Sequence, residues 1–177
     1  MLQQVVDFLA SISAEAEGTL FLSAIILDGF ERSIQLDGWN CGAYCAYMIL
    51  KYHGKARSLK NVQKEAGTTE DGTDEEMLIK LFRKRGLSVY EFEQRSLAKL
   101  ERAIDRGSPI LAHISTRIEN HWVVVYGYDD DYIWIADPSL NVLKHPQRVW
   151  CRQTRSSFRN RWKGYGIVVG KKKRCSL

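Results

Sequence analysis

The chain has 177 residues, a length that suits one domain with enough residues to bury a core. Apolar residues make up 45% of it and charged residues 27%, which is ordinary for a soluble globular protein. No stretch reaches 18 apolar residues, and the N-terminus lacks the basic start of a secretory signal, so neither a transmembrane helix nor an export signal is predicted. We therefore expect a cytoplasmic protein.

The net charge of +5 is unevenly distributed along the chain. Residues 138–177 hold 11 Lys and Arg and no acid, whereas residues 1–137 hold all 21 acids. A basic end of this kind can meet nucleic acid, an anionic surface or an acidic partner. Base-stacking aromatic residues are not interleaved with the final basic run, KKKRCSL, so no nucleic-acid partner is required. A weak contact with an anionic surface and the oligomeric state are left open.

Two elements are predicted before the main domain begins. Apolar residues near helical spacing predict a short helix over 2–13, and residues 19–27 form a second apolar element, either helix or strand. Both lie in residues 1–33, which we interpret as an N-terminal extension that packs on the domain. The domain is expected to span residues 34–170, followed by a basic tail over 171–177.

Helices dominate the first part of the domain. Residues 41–53 place an apolar stripe on one helical face, and Gly54 ends this helix. Ser58 can cap the next helix, which runs to about Ala66.

The stretch GTDEEMLIKLFRKRG carries complete start and stop signals for a further helix. Thr73 is predicted as its cap, with Glu76 completing a capping box and Gly86 ending the helix. Acids crowd its first turn and bases its last turn, as the helix dipole favours. Another helix is expected from Ser96 to about Arg106.

Strands dominate the later part of the domain. PILAHIS (109–115) has the pattern of a buried strand, and YGIVVG (165–170) predicts a late strand. HWVVVYGYDDDYIWIADP predicts two strands, 121–127 and 132–137, around an acidic turn. Helices followed by mostly antiparallel strands indicate an α+β fold.

The predicted hairpin brings a carboxylate close to an imidazole. If it folds near Asp129, the numbers of paired residues sum to about 258, which places Asp137 opposite His121 or within a residue of it. Side chains opposite each other in a hairpin are neighbours, so the carboxylate can orient the histidine and stabilise its charged form. A solvent-facing ion pair at a strand end is an equally good interpretation of the hairpin alone.

Of the four cysteines, Cys41 has the setting of a nucleophile. With Asn40 as N-cap, Cys41 lies in the first helical turn, where unpaired N–H groups and the helix dipole favour a thiolate. Cys45, one turn further in, is expected to pack in the core. Zinc would need paired ligands at closer spacing, so no metal site is predicted.

An amide side chain precedes Cys41 by six positions. Acyl transfer to a thiolate needs hydrogen-bond donors for the developing oxyanion. The Cys41 N–H can be one donor and the Gln35 side chain the other, across the loop LDGWN, to which Gly38 gives conformational freedom. Taken alone, Gln35 would be interpreted as a surface polar residue; together with Cys41, His121 and Asp137 it would not.

Five stretches carry a resemblance to a known family. They are QLDGWNCGAYCAYMILKYHGK, EDGTDEEMLIKLFRKRGL, GSPILAHIS, HWVVVYGYDDDYIWIADPS and FRNRWKGYGIVV. Their order resembles that in the papain-like double-glycine leader peptidases, the cysteine peptidase domains at the front of bacteriocin-exporting transporters (cysteine peptidase family thirty-nine). The resemblance covers about residues 34–170, and we expect a stand-alone member.

The resemblance implies a papain-like cysteine peptidase fold, with a helical N-terminal half packed on an antiparallel C-terminal sheet half. It implies that Cys41 is the nucleophile and His121 the general base and acid. It also implies that Asp137 orients the histidine and that Gln35 is the oxyanion donor. The chain departs from the family at Asn40, where an acid is common.

These residues predict a thiol hydrolase that cleaves peptide amide bonds in a peptide or protein substrate, with cleavage after Gly-Gly in a leader peptide as one option. This chemistry needs no metal or organic cofactor. The same acyl-thioester step would serve a glutamine deamidase, a transamidase or a hydrolase of ubiquitin-like tags. A non-enzymatic binding module that uses the basic C-terminal third is disfavoured, because a binder has no need of the four-residue constellation.

Three further histidines are given no catalytic role. His53 ends the first strong helix, where a cation suits the dipole. His113 is expected to be a neutral histidine in a buried strand, with a place under the site as the alternative. His145 lies in a basic loop without catalytic context.

Overall fold

A computed structural model of the chain describes residues 24–35, 37–116, 120–139 and 152–172. The helix predicted over residues 2–13 lies outside these ranges, as do His145 and most of the basic tail. The division into an extension, a domain and a tail therefore stays a prediction.

Five helices lie within the described ranges. They are α1 (Cys41–Tyr52), α2 (Leu59–Glu65), α3 (Glu75–Lys84), α4 (Leu97–Asp105) and α5 (Arg155–Arg161). The first four agree with the predicted helices, whereas α5 was not predicted. None of the helices in the described part of the chain is long and apolar enough to cross a membrane.

Seven strands form one antiparallel sheet in the described residues. They are β1 (Ile25–Ile26), β2 (Leu87–Glu93), β3 (Ile110–Ser115), β4 (Asn120–Tyr128), β5 (Tyr132–Ala136), β6 (Arg152–Thr154) and β7 (Trp162–Lys171). Their order is β2-β7-β3-β4-β5-β6, and β1 pairs with β4. Helices before a mostly C-terminal antiparallel sheet confirm the predicted α+β class.

The α1 helix is the contact between the two halves. Most of its residues are buried, including Cys45, Met48, Ile49 and Leu50, each fully inaccessible to solvent. It packs against β4, whose central residues are equally buried. A helix buried nearly all round is held by its tertiary contacts, so its ends are fixed relative to the sheet.

The cap predicted for α3 is wrong by one residue. Asp74, not Thr73, is the N-cap, and its carboxylate accepts hydrogen bonds from the N–H groups of Glu76 (2.8 Å) and Met77 (3.4 Å). A carboxylate satisfies these N–H groups and also favours the positive end of the helix dipole. The Thr73 hydroxyl is instead within 2.9 Å of the Thr68 hydroxyl.

Candidate active site

Cys41 begins α1, with Asn40 at the predicted N-cap position. The thiol is partly accessible, so a substrate can reach it. The Cys41 N–H belongs to the first helical turn and has no acceptor within the helix, which leaves it available to an incoming oxygen. Helix geometry thus presents a thiol and an N–H donor at one point.

The predicted register of the β4–β5 hairpin is wrong by two residues. We expected Asp137 opposite His121 or within a residue of it. The ladder, continued by one step beyond Ala136, instead sets Asp137 opposite Val123, because the turn closes over residues 129–132. Residues two apart on a strand share one face, so Asp137 is still a diagonal neighbour of His121.

A β-bulge in β4 decides which face Asp137 occupies. Beside the turn, the ladder pairs Tyr128 with Ile133. Continued without interruption, that register would direct the Asp137 side chain to the face opposite His121. The register shifts by one residue in the middle of β4, and a shift of one residue exchanges the faces. The bulge therefore returns the carboxylate to the side of the imidazole.

His121 is buried, with 5% of its surface exposed. Its Nε2 lies 2.7 Å from Asp137 Oδ1. Burial disfavours the imidazolium, but hydrogen bonds to Asp137 and Cys41, together with the negative charges of both, raise the pKa of His121 to about 10. Since Asp137 engages Nε2, Nδ1 is the nitrogen left to face the thiol.

Asp137 is held as a carboxylate by several neighbours. Burial would raise its pKa, but the hydrogen bond and charge of His121, the N–H of Ser139 at 2.9 Å and the charge of Arg161 lower it. An ionised carboxylate on Nε2 fixes the orientation of the ring and stabilises the imidazolium.

Two hydrogen bonds join the cysteine side of the site to the sheet. The Gln35 N–H donates to the carbonyl of Pro138 at 2.7 Å, directly after Asp137. The thiol of Cys45 donates to the carbonyl of Trp122 at 3.2 Å, directly after His121. Both link residues more than 70 positions apart, and they set the loop before α1 and the hairpin end against each other.

Gln35 is buried beside this loop, with 5% of its surface exposed. Its Nε2 donates to the carbonyl of Asp37 at 2.6 Å. A side-chain amide has two N–H donors, so one remains for a substrate oxygen. Its Oε1 is buried and has no hydrogen-bond partner among the described residues. The position suits the predicted oxyanion donor, and the role itself stays a prediction.

Sequence reasoning missed the part that Asp37 has in this loop. Its carboxylate accepts hydrogen bonds from the N–H of Trp39 (3.4 Å), the N–H of Asn40 (3.1 Å) and the side-chain amide of Asn40 (2.5 Å). Its carbonyl holds Gln35. A carboxylate two or three residues before backbone N–H groups is an Asx turn, and this pattern could have been found in LDGWN.

We expect Asp37→Ala to lower both stability and activity. Loss of the bonds from the loop N–H groups should cost about 1–2 kcal/mol of unfolding free energy, as for a lost helix cap. The Gln35 side chain would also lose its fixed support. Asp37→Asn keeps an acceptor for the N–H groups, so its stability and activity should lie between those of the parent and those of Asp37→Ala. Urea unfolding together with kcat/KM measures both effects; unchanged values in Asp37→Ala would contradict the role.

Gly42 follows the thiol and touches a second loop. A Cβ at Gly42 would lie 2.9 Å from Thr73 Cβ and 3.3 Å from Trp122 Cδ1. These distances leave no room for a methyl group, which explains the glycine beside the nucleophile. Thr73, wrongly predicted as a cap, therefore packs against Gly42.

Gly42→Ala should destabilise the protein although alanine is the better helix former. The propensity gain is about 1 kcal/mol, whereas overpacking a close contact costs about 1–3 kcal/mol. We expect a lower midpoint of thermal unfolding. Gly38→Ala is the matched control, because nothing lies within 4 Å of its Cβ position. Equal midpoints for the two variants would contradict the clash.

Cys45 lies in the core, as predicted. It is fully buried, and burial, followed by the negative charges of Cys41 and Asp137, raises the pKa of its thiol well above the usual value. A neutral, inaccessible thiol is a poor nucleophile. The other cysteines lie outside the described residues.

The pKa values of His53 and His113 are lowered, whereas that of His121 is raised. His53, expected to have a structural role, is buried with Nε2 3.0 Å from the carbonyl of Val169, and burial lowers its pKa. His113 is only half-buried and stacks on Trp122, with ring centroids 4.6 Å apart. Burial, Lys163 and His121 lower its pKa, in agreement with a neutral ring. In the described part of the chain, no group of three or more His, Cys, Asp or Glu side chains could hold a metal ion.

Comparison with known proteins gives a family match over most of the chain. The peptidase C39 family matches residues 30–174. The lactococcin-G-processing and transport ATP-binding protein LagD of Lactococcus lactis subsp. lactis is 34% identical over 131 residues, which is 73% of this chain and 17% of that protein. The transport/processing ATP-binding protein ComA of Streptococcus pneumoniae is 30% identical over 142 residues, 76% of this chain and 18% of that protein. The chain spans less than a fifth of the length of these relatives.

Solved structures share the fold. A double glycine motif protease from an AMS/PCAT transporter, in complex with the leader peptide, superposes with a TM-score of 0.65 at 22% identity, over 80% of this chain and 91% of that one. A C39-like peptidase of Bacillus anthracis superposes with a TM-score of 0.67 at 16% identity, over 86% of this chain and 100% of that one. The predicted papain-like fold and the predicted enzyme class, a cysteine peptidase, are confirmed, and the chain belongs to the peptidase C39 family.

Proposed function

We propose that this chain hydrolyses peptide bonds with Cys41 as nucleophile, His121 as general base and acid, Asp137 as the orienting carboxylate and Gln35 as oxyanion donor. The observation that carries the proposal is one buried imidazole that lies 2.7 Å from the Asp137 carboxylate and whose pKa is raised by both Asp137 and Cys41. If His121 and Asp137 formed only a surface ion pair, the Cys41 thiol would not interact with the imidazole. An imidazole in this position can take the proton of the thiol, which makes sulfur the attacking nucleophile.

The chemistry follows from these positions. The Cys41 thiolate attacks the carbonyl carbon, and its negative charge moves to the carbonyl oxygen. The Cys41 N–H and the free N–H of Gln35 Nε2 stabilise that oxyanion. The His121 imidazolium gives its proton to the amine as the carbon–nitrogen bond breaks, which leaves a thioester. His121 then takes a proton from water, whose oxygen displaces the thiolate and releases the acid.

We propose leader peptides that end in Gly-Gly as the substrate class. The support comes from similar proteins: one relative is a lactococcin-G-processing transporter, and one structural neighbour is a double glycine motif protease in complex with the leader peptide. The second glycine would supply the attacked carbonyl. Because glycine has no side chain, a close-fitting cleft can select it by excluding larger residues.

A pair of peptides tests the substrate class. A leader peptide with Gly-Gly before the cut should be cleaved after the second glycine, and the same peptide with Ala-Ala should lose roughly 100-fold in kcat/KM. Cys41→Ala should cleave neither. Equal cleavage of both peptides would contradict the Gly-Gly preference while leaving the peptidase chemistry intact.

Mass spectrometry of the products separates peptide hydrolysis from the related chemistries. Backbone cleavage gives two fragments, whereas glutamine deamidation leaves the chain intact and adds about 1 Da, although both pass through an acyl-thioester. Deamidation without cleavage would overturn the proposed reaction and keep the assignment of the nucleophile.

A further inference from the structure

A second concave site lies at the far end of the sheet from Cys41. We call it the α4 pocket: a cavity of about 1000 Å³ between α4, the end of α1 and the strands β2 and β7. Ser108, just before β3, lines it, whereas His121 pairs with Ile114 near the other end of β3. Six strand residues separate these points, roughly 20 Å, so the pocket is distinct from the peptidase site.

The charge of the α4 pocket is positive. Lys99, Arg102, Arg106 and Lys171 line it, and none of the described residues that line it is an acid. None of the four forms an ion pair with a described acid. Low-dielectric walls focus the field of such a cluster, so a multiply charged anion would relieve its internal repulsion.

The acids of α4 are engaged elsewhere. Glu101 pairs with Arg155, and Asp105 accepts a hydrogen bond from the Tyr128 hydroxyl at 2.7 Å. Lys99, Arg102 and Arg106 recur at helical spacing and therefore share one face, and the acids lie on another. Because the acids lie on another face of the helix, they do not neutralise the cations of the pocket.

Aromatic rings stand beside these cations. Tyr90 is 61% exposed and stacks on Phe92, with centroids 6.4 Å apart. Lys99 Nζ lies 5.8 Å from the centre of the Phe92 ring. The exposed face of Tyr90 can stack on a flat ring of a ligand, while the cations bind its charges.

Glycines of β7 keep the floor of the pocket open. A Cβ at Gly170 would lie 2.7 Å from the Ser108 hydroxyl and 3.2 Å from the Ser88 hydroxyl. A Cβ at Gly166 would lie 2.8 Å from the Phe92 ring. Gly170 thus brings two hydroxyls together on the floor, where they can serve a polar ligand, and Gly166 leaves room for the Phe92 ring that lines the pocket.

We propose that the α4 pocket binds a nucleoside di- or triphosphate. Its volume matches a small-molecule site, whereas a protein partner generally needs a broad and flatter surface. A cluster of four cations suits a polyphosphate better than a single carboxylate. The exposed Tyr90 ring provides the stacking face for the base.

Calorimetric titration of the full chain with ATP, tripolyphosphate and adenosine tests the site. ATP should bind more tightly than either fragment, because only ATP has both the ring and the charges. Equal affinity for ATP and tripolyphosphate would overturn the role of the ring, and absence of ATP binding at millimolar concentration would overturn the site.

Matched variants locate the binding. The double variant Arg102→Ala, Arg106→Ala should weaken ATP binding at least about tenfold. The double variant Arg57→Ala, Lys60→Ala removes equal charge from exposed positions outside the pocket and should change affinity less than about twofold. An equal loss of ATP affinity in the two double variants would show that net charge alone attracts ATP, and it would overturn the site.

A third variant tests the stacking, and an assay of peptide cleavage shows whether the variants are still folded. Tyr90→Ala should reduce the preference for ATP over tripolyphosphate, and an unchanged preference would contradict stacking. Peptide cleavage should be unaffected in all variants, since no altered residue lies in the peptidase site. A failure of the proposed peptidase function would leave the binding results untouched, so the two proposals stand or fall separately.

Discussion

Cys41→Ala is expected to abolish peptide cleavage, with a loss of at least about 10⁴-fold in kcat. The thiolate forms the bond that carries the acyl group, and alanine offers no atom that could replace it. Neither the oxyanion donors nor His121 can supply a covalent intermediate on their own. The measurement is single-turnover cleavage of the Gly-Gly leader peptide.

Cys45→Ala is the control for this prediction. Cys45 lies one helical turn away and is fully buried, so its loss should cost core packing and the bond to Trp122 rather than chemistry. We expect a stability loss of about 1–2 kcal/mol and activity within a few-fold of the parent. A large loss of kcat in this variant with intact folding would contradict the assignment.

Labelling with iodoacetamide gives a second readout. The label should be lost in Cys41→Ala and kept in Cys45→Ala, because alkylation needs an accessible thiolate. Peptide mapping is required, since Cys151 and Cys175 are also in the chain. Label on Cys45 equal to that on Cys41 would contradict the structural distinction between the two.

The parts of the site that were predictable are those determined by local sequence. The position of Cys41 follows from a helix start signal, and the nearness of Asp137 to His121 follows from a hairpin. Cys41 directly follows the N-cap residue that marks the helix start, and Asp137 lies 16 positions from His121. Even the register error of two residues kept the correct face, because the period of a strand is two.

Contacts between segments distant in sequence were not predictable. The bond from Gln35 to Pro138 and the contact of Gly42 with Thr73 bring together residues far apart in sequence. Thr73 was predicted as a cap because Thr before an acidic turn is a common start signal, but Asp74 is the stronger one. Local pattern cannot tell a threonine that caps from one that packs.

The prediction lacked three elements of the described residues, β2, β6 and α5, and for β2 and α5 the sequence shows a physical reason. The strand β2, LSVYEFE, lies at one edge of the described sheet, where it pairs with β7. Of its residues only Leu87 and Phe92 are buried, and they are five positions apart, so the alternation that marks a strand is weak. The helix α5 has one buried residue, Phe158, in seven, and its sequence RSSFRNR has no apolar stripe.

Asp137→Asn is expected to lower kcat/KM strongly, up to about 10⁴-fold, without unfolding the protein. Asparagine has nearly the same size but no charge. Its amide oxygen can still accept the hydrogen bond from Nε2, but without a negative charge it stabilises the imidazolium less, so His121 holds its proton less tightly. Asp137→Ala should be at least as inactive, and full activity of Asp137→Asn would contradict a role for the charge.

The pH dependence gives the sharper result. The pKa of His121 is raised to about 10, so the imidazolium should persist up to that range, and activity should fall above it. In Asp137→Asn the alkaline limb of kcat/KM should move down towards the ordinary histidine value of 6.5. Asp137→Asn with an unmoved alkaline limb would show that some other group holds the proton.

Stability should follow the same pair. A histidine whose pKa is raised on folding stabilises the fold fully below its unfolded value of 6.5, and this contribution is lost as the pH rises through about 10. A carboxyl whose pKa is lowered stabilises the fold above its unfolded value of 3.8 and loses that contribution as the pH falls. The pair therefore contributes most between these two unfolded values. Since Asp137→Asn removes the pair, urea unfolding should show the largest difference from the parent in that window and a shrinking difference above it.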